Sequence, residues 1–264
     1  MLFSIIVTNY NKGKYIKKCL DSIINQTIDK EKYELIVVDD GSADGSIEII
    51  KEYSIKLLYT DRLLAGGARN KGLDNAKGDY IIFIDGDDYL YRCDILSELE
   101  SIIDNQDVIY LPFIKVKADG SIKILNDGKM NINDRIENDK SLAVCSKCWK
   151  REMLSDIRFQ EKVYYEDILF ILNAYCKIEK EGYLNTPFYV YETDMDGITK
   201  SETTLKKQVD IYIQLFGLFE LIDRYPKYKT ELLRRIERAR LQNRMEVIIK
   251  LIETEENDFK KHFK

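Results

Sequence analysis

The sequence predicts an α/β fold: a mainly parallel sheet flanked by helices, followed by a helical C-terminal extension. Three observations carry this. Short β-branched and apolar runs alternate with helical-period segments over the first ~90 residues, the pattern of a parallel sheet covered on both faces. Clusters of acids fall just after the ends of the apolar runs, the edge where open α/β sheets hold ligands. From Thr204 onward the strand signals stop and only helical periodicity remains.

Ser4–Thr8 is a short β-branched run and reads as a buried strand. Asn11–Gly13 is turn chemistry. Tyr15, Ile16, Cys19, Leu20, Ile23 and Ile24 then recur at helical spacing up to Gln26. Tyr33–Val38 is a second strand, closed by Asp39-Asp40-Gly41-Ser42. Asp44–Tyr53 reads as a helix and Lys56–Tyr59 as a third strand. Leu64–Gly67 reads as a glycine loop, and Ala68–Ala76 as a short helix ending at Lys77-Gly78. Tyr80–Ile84 is the most hydrophobic strand and stops at Asp85-Gly86-Asp87-Asp88. Beyond it, Ile95–Ile103 reads as a helix, Asp107–Phe113 as a strand and Lys115–Met130 as a hairpin around Asp119-Gly120. Ser146–Leu154 and Glu166–Ile178 read as helices, and Phe188–Glu192 as a strand. Val209–Tyr225 and Tyr228–Glu253 are helical and separated by Pro226. The stretch Asp119–Asp139 is polar and irregular.

A chain of 264 residues fits one large domain, or one domain with a small appendage. Its 41 basic and 46 acidic residues give 41 − 46 = −5, which argues against a general nucleic-acid binder. The one histidine, His262, lies two residues short of the C-terminus. That argues against a Ser-His-Asp triad, a Cys-His pair or a His-rich zinc site. Chemistry must then run on carboxylates, hydroxyls, lysines or thiols. The apolar start lacks a basic region and a long hydrophobic core, so no signal peptide is expected. No run approaches the ~20 apolar residues of a membrane span. Five scattered cysteines fit reduced thiols in a cytoplasm. Cys145-Ser-Lys-Cys148 has no second pair to complete a zinc site and reads as chance spacing.

Asp85-Gly-Asp87-Asp88 puts three carboxylates within four residues. They repel one another unless a cation sits among them. Mg²⁺ or Mn²⁺ takes such oxygen ligands together with substrate phosphates. On its own the motif fits either a metal–diphosphate clamp or a solvated acidic turn. Its context is wider. Thr8-Asn9-Tyr10-Asn11, Val38-Asp39-Asp40-Gly41-Ser42, Gly67-Ala68-Arg69-Asn70-Lys71-Gly72 and Gly78-Asp79 through Asp88 occur in that order. Together they resemble glycosyltransferase family 2, with its GT-A fold, a Rossmann-like mainly parallel sheet. Ser146-Lys147-Cys148-Trp149 through Leu154 and Tyr165-Glu166-Asp167-Ile168-Leu169-Phe170 extend the likeness to bacterial cell-surface polysaccharide transferases.

The resemblance implies transfer of a sugar, with inversion, from a UDP-sugar to an acceptor hydroxyl, aided by a divalent cation. By that likeness Thr8 and Tyr10 line the uracil pocket, and Asp40, with Asp39, faces uracil and ribose. Arg69 lines the donor pocket near the base. Asp85 addresses ribose or metal, Asp87 is the principal metal ligand, and Asp167 is the general base. Glu166, Asp88 and Trp149 are weaker, supporting or acceptor-side candidates. Trp149 either stacks on a sugar face or is a core tryptophan. The residue types suit these tasks: a carboxylate accepts from uracil N3–H, a cation stabilises a leaving diphosphate, and a positioned carboxylate takes the acceptor proton. Glu166-Asp167 also reads simply as helix N-terminal acids, and Arg69-Asn70 as an ordinary helix start.

Relatives often carry a late histidine near the metal site. Here that segment reads Tyr191-Glu192-Thr193-Asp194-Met195-Asp196-Gly197, so Asp194, Asp196 or water is the candidate substitute.

The resulting layout is a GT-A catalytic domain over 1–203, with a nucleotide-sugar half at 1–100 and an acceptor half at 101–203. A helical extension covers 204–264. Four arginines in Arg234–Leu241, diluted by later glutamates, favour packing or homodimerisation of this tail over an anionic membrane surface. The expected acceptor is a saccharide, lipid-linked or glycoconjugate hydroxyl at the cytoplasmic membrane face. A catalytically inactive nucleotide-sugar-binding protein is one alternative. A nucleotidyltransferase is another, though it would want a glycine-rich basic loop after the first strand. No G-x-G-x-x-G follows that strand, which excludes a dinucleotide oxidoreductase.

Overall fold

The apolar runs at Phe3–Asn9, Tyr33–Asp39 and Tyr80–Asp85 are buried on nearly every residue, as strands inside a parallel sheet must be. The computed structural model describes residues 1–117, 119–125, 130–138, 143–192 and 204–241. In chain order its elements are β1 (Phe3–Asn9), α1 (Ile16–Ile24), β2 (Tyr33–Asp39), α2 (Ser46–Lys51), β3 (Lys56–Tyr59), α3 (Leu64–Leu73), β4 (Tyr80–Asp85) and β5 (Tyr89–Leu90). There follow α4 (Ile95–Ser101), β6 (Val108–Tyr110), β7 (Phe113–Val116), β8 (Ile122–Leu125), α5 (Ile132–Asn138), β9 (Lys147–Lys150) and α6 (Asp167–Tyr175). Last come β10 (Glu181–Tyr183), β11 (Tyr189–Glu192), α7 (Leu205–Arg224) and α8 (Lys229–Leu241).

The main sheet has the order β3-β2-β1-β4-β9-β6-β10, and β9 alone runs against its neighbours. This is the expected mainly parallel sheet flanked by helices. The chain steps outward through β1, β2 and β3 and then returns to the other side of β1 as β4. The resulting switch point lies at the carboxyl ends of β1 and β4, the place where open α/β sheets hold ligands. The register sets Thr8 beside both Val38 and Asp85, and Asn9 beside Asp39. Residues far apart in sequence thus meet on one edge. A smaller sheet, β5-β11-β7-β8, lies beside it.

Several expectations are corrected. Leu64–Gly67 is not a loop: α3 starts at Leu64 and contains both glycines. A Cβ on Gly66 would meet the Gln160 carbonyl oxygen at 2.3 Å, so glycine here allows close packing of a helix. Ser146–Leu154 is not a helix. It is β9 between two short 3-10 turns. Lys147, Cys148 and Trp149 are buried in succession, so the two-residue alternation that marks a half-exposed strand is missing. The strand expected over Asp107–Phe113 breaks at Leu111-Pro112 into β6 and β7, which belong to different sheets. The polar middle region holds α5, whose Arg135 and Ile136 are buried.

The C-terminal helices join the same core. Leu218, Leu221 and Leu232 belong to the hydrophobic cluster that contains Ile82 and Phe83. Polar and glycine contacts tie α7 to the start of α6, and Arg235 of α8 donates to the Ile136 carbonyl of α5 at 2.9 Å. No helix among the described residues is long and apolar enough to cross a membrane. Asp194, Asp196, His262 and the tail beyond Leu241 lie outside the described residues.

Candidate active site

The edge begins with a network around β1 and β2. Asn9, buried at the end of β1, donates from Nδ2 to Asp39 Oδ2 at 2.6 Å and to Ser46 Oγ at 2.9 Å. Asp39 Oδ1 accepts from the Gly41 and Ser42 amides at 3.1 and 3.0 Å. Asp40 Oδ1 accepts from Thr60 Oγ1 and the Leu63 amide, both at 2.8 Å, and its Oδ2 accepts from the Leu64 amide at 2.8 Å. The Leu63 side chain makes no cap of its own for α3. Asp40 therefore caps that helix from the neighbouring strand end, satisfying amides that a helix start leaves orphaned.

The helix so fixed carries Arg69, whose side chain is 4% exposed. Its Nη2 donates to Asp85 Oδ1 at 2.8 Å. Its Nη1 donates to Glu166 Oε1 and to Asp167 Oδ1, the latter at 3.0 Å. The structure joins Arg69 to three acids from two other elements. Its neighbour Asn70 clamps the Phe159 backbone with two bonds of 2.9 Å. Asp167 Oδ2 also accepts from the Val144 amide at 3.1 Å. Burial, then the adjacent Asp167 carboxylate, pushes Glu166 up to about 7, against the pull of Arg69. For Asp85, burial acts upward. The Arg69 charge and hydrogen bond, helped by Thr8, nonetheless hold it below the usual carboxylate range.

At the end of β4, Thr8 Oγ1 donates to Asp85 Oδ1 at 3.0 Å. Asp85 Oδ2 takes no protein donor among the described residues. Asp87 forms an ion pair with Lys12. Asp88 is buried, and burial together with Asp85 and Asp87 pushes its carboxyl well above the usual range. Among the described residues no three His, Cys, Asp or Glu side chains form a metal-holding group. The donor set still suits a hard divalent cation that completes its shell with phosphate oxygens and water. Asp85 Oδ2 meets no donor among the described residues, and Asp87 already faces a cation, the Lys12 ammonium.

Tyr10 is 38% exposed at the mouth of the edge. The Arg62 guanidinium lies 4.2 Å from its ring centroid and bonds its hydroxyl. Trp149 is wholly buried and packs edge-on against Phe170 at 6.0 Å, so it is a core tryptophan and not a sugar platform. Cys145 and Cys148 are buried in the core, and burial pushes both thiols up. A cleft of about 850 Å³, lined by Leu2, Asp79, Arg151 and Arg158 among others, opens at the opposite edge of the sheet, away from these acids. Sequence reasoning assigned no role to Asn9, Lys12, Arg62 or Asn70. Asn9 and Asn70 sat inside quoted motifs. Nothing local marked Lys12 or Arg62, whose partners lie 75 and 52 positions away.

Comparison with known proteins shows the family and the fold. The sequence model described as Glycosyl transferase family 2 matches residues 4–156. Glycosyltransferase GlyA of Streptococcus pneumoniae is 33% identical over 210 residues, which cover 71% of this chain and 30% of that protein. Poly(ribitol-phosphate) beta-N-acetylglucosaminyltransferase TarS of Staphylococcus aureus is 32% identical over 212 residues, covering 75% of this chain and 36% of that protein. The matched region thus spans about a third of the length of these relatives. The crystal structure of S. aureus TarS 1–349 in complex with UDP-GlcNAc matches with a TM-score of 0.68 at 24% identity. The match covers 83% of this chain and 66% of that one, and it shows a shared fold. On the family match and these relatives, the chain belongs to glycosyl transferase family 2 and has the GT-A fold.

Proposed function

We propose that this chain is an inverting glycosyltransferase that moves a sugar from a UDP-sugar to an acceptor hydroxyl in bacterial surface polysaccharide or glycoconjugate synthesis. One observation carries the reading. Arg69 gathers Asp85, Glu166 and Asp167, up to 98 positions away, at the carboxyl edge of the sheet. A donor end and a base end are thereby set against each other. The names of relatives, and the UDP-GlcNAc held by the TarS structure, support the donor class.

Thr8 and Tyr10 line the uracil end. Asp39 and Asp40 hold the loops that shape it. Arg69 and the Val144 amide orient Asp167, which takes the acceptor hydroxyl proton. The acceptor oxygen bonds to the anomeric carbon as the bond from that carbon to the diphosphate breaks on the opposite side, and UDP leaves. Asp87 and Asp85 Oδ2 would hold a Mn²⁺ or Mg²⁺ ion, which neutralises charge on the leaving diphosphate. The acceptor is a saccharide, lipid-linked or glycoconjugate hydroxyl.

UDP at 100 times its Kd, with Mn²⁺, should stabilise the protein by about 2.7 kcal/mol in a thermal melt. No shift at millimolar UDP would sink the nucleotide-sugar reading. Asp87→Ala should abolish the Mn²⁺ dependence of UDP binding. Asp167→Asn should cut UDP release from the accepted member of a UDP-sugar panel about 10²–10⁴-fold and leave UDP affinity within about twofold. An equal loss of UDP affinity would move Asp167 to the donor side.

A further inference from the structure

The N-terminal turn of α6 carries Asp167, yet its cap residue, Glu166, makes no side-chain capping bond. The missing partner comes from the C-terminal extension. Gln214 on α7 is wholly buried. Its Oε1 accepts from the Leu169 amide, in the first turn of α6, at 3.2 Å. Its Nε2 donates to Gln160 Oε1 at 2.5 Å. One helical turn earlier, Asp210 is 3% exposed and accepts from the Tyr164 amide at 2.9 Å and from Lys206 Nζ at 2.6 Å. Lys206 Nζ also donates to the Lys162 carbonyl at 2.7 Å. These contacts pin both ends of the segment that delivers Glu166 and Asp167.

That segment needs pinning. Lys162 and Tyr165 have φ of +60° and +61°, a region costly for residues with a side chain. Strained backbone persists only where its surroundings over-determine it. On α7 buried polar residues sit beside the apolar Ile211 and Leu215. Lys207 lies over the Tyr164 ring, and Asp210 and Gln214 bond the 160–169 segment, while Leu218 and Leu221 join the core. Gly217 lets the helices close up, since a Cβ there would meet Leu169 Cδ2 at 2.5 Å. An apolar helix would pack here without three buried polar side chains. Gln214 opposite the orphan Leu169 amide of the base-bearing turn, with Asp210 opposite the Tyr164 amide just before it, is the signal that α7 serves the site.

We infer that Gln214 and Asp210 are positioning residues: α7 caps and pins the turn bearing Asp167, so the C-terminal extension is part of the catalytic unit. The inference rests on the proposed glycosyl transfer for its kinetic consequence, but not for its structural one. A shift of about 1 Å at a reacting group can cost 10²-fold in rate, so a loosened turn is felt in kcat. Donor binding at the ends of β1 and β2 does not involve α7.

The test compares Gln214→Met, which keeps volume but lacks the acceptor, with Gln214→Glu, which keeps an acceptor for the Leu169 amide. Hydrogen exchange is followed in the peptide covering 163–172, and metal-dependent UDP release is followed with UDP-GlcNAc, or another member of a UDP-sugar panel, with water as acceptor. Gln214→Met should speed exchange of the Leu169 amide at least about tenfold. It should lower kcat about tenfold or more, with KM for the UDP-sugar within about twofold. Gln214→Glu should recover most of both. Unchanged exchange in 163–172 would overturn the inference, as would faster exchange with unchanged kcat. If no UDP-sugar is turned over by the unmodified chain, the proposed function fails. The exchange arm then decides the pinning of the turn alone.

Discussion

Two pairs of adjacent acids stand at the same edge of the sheet and are used in opposite ways. Asp39 and Asp40 end β2, and all four of their oxygens accept from neutral donors of the chain, mostly backbone amides. Glu166 and Asp167 open α6 and share a single guanidinium, which also serves Asp85. Three carboxylates meet one cation, so charge remains uncompensated until something else arrives. A carboxylate spread over amides is architecture. A carboxylate sharing a cation with two rivals is left available for protons, metal and substrate. The comparison separates acids whose oxygens are filled mostly by backbone amides from acids that share one guanidinium.

The largest expected effect tests the first half of that contrast. Asp40→Ala strands the Leu63 and Leu64 amides and releases the start of α3, and with it Arg69. Each unmade buried bond costs ~1–3 kcal/mol, so a loss of about 3 kcal/mol is expected in a urea titration at unchanged m-value. Asp167→Asn, by contrast, removes a charge from a crowded cluster and should change stability by less than about 1 kcal/mol. Equal losses from the two variants would erase the distinction.

The sequence made one half of this legible. Apolar runs mark where strands stop, so Asp39, Asp40, Asp85 and Asp87 could be placed on one edge, and the mainly parallel sheet followed from strand–helix alternation. The division of labour among the acids was not legible. The donors that occupy Asp40 lie 20 to 24 positions away, in the turn that leads into α3 and in its first residue. β9 was hidden because burial on both faces removes the alternation that identifies a strand. Gly66 and Gly67 looked like a break, since glycine weakens helices locally; the packing that requires them is tertiary. Val209–Tyr225 read only as a helix, and it is the fold that sets its Asp210 and Gln214 against α6.

Gly66 is where the two regions touch, which gives the next test. Asp40 caps the helix that contains it. A Cβ there would meet the Gln160 carbonyl at 2.3 Å and Glu166 Cγ at 3.2 Å. Gly66→Ala gains helix propensity worth up to ~1 kcal/mol, but overpacking against backbone costs ~1–3 kcal/mol. A net loss of about 1–2 kcal/mol should appear in thermal melts, with impaired UDP release because the strained segment moves. A stabilised, fully active variant would show that α3 and the 160–166 segment are not pressed together.

The smallest effect probes the second pair through pH. Burial and Asp167 raise Glu166 from 4.5 to about 7. Its protonated form is thus favoured in the folded protein, and the unfolded chain binds fewer protons between these values. Stability contributed by this group is fully present below about pH 4.5. It is lost as pH rises through about 7, the reverse of an acid held ionised by its partner. Against Glu166→Gln, which cannot titrate, the unmodified chain should lose roughly 1–2 kcal/mol between about pH 5 and pH 7.5. The difference between the two melting curves reports the titration of Glu166 together with the Asp167 carboxylate beside it. A difference of opposite sign, with stability rising over the same window, would mean that Arg69 holds Glu166 ionised. Glu166 would then belong with Asp39 and Asp40, among the acids whose charge is already spent on structure, and Asp167 would face the acceptor with a fully ionised neighbour.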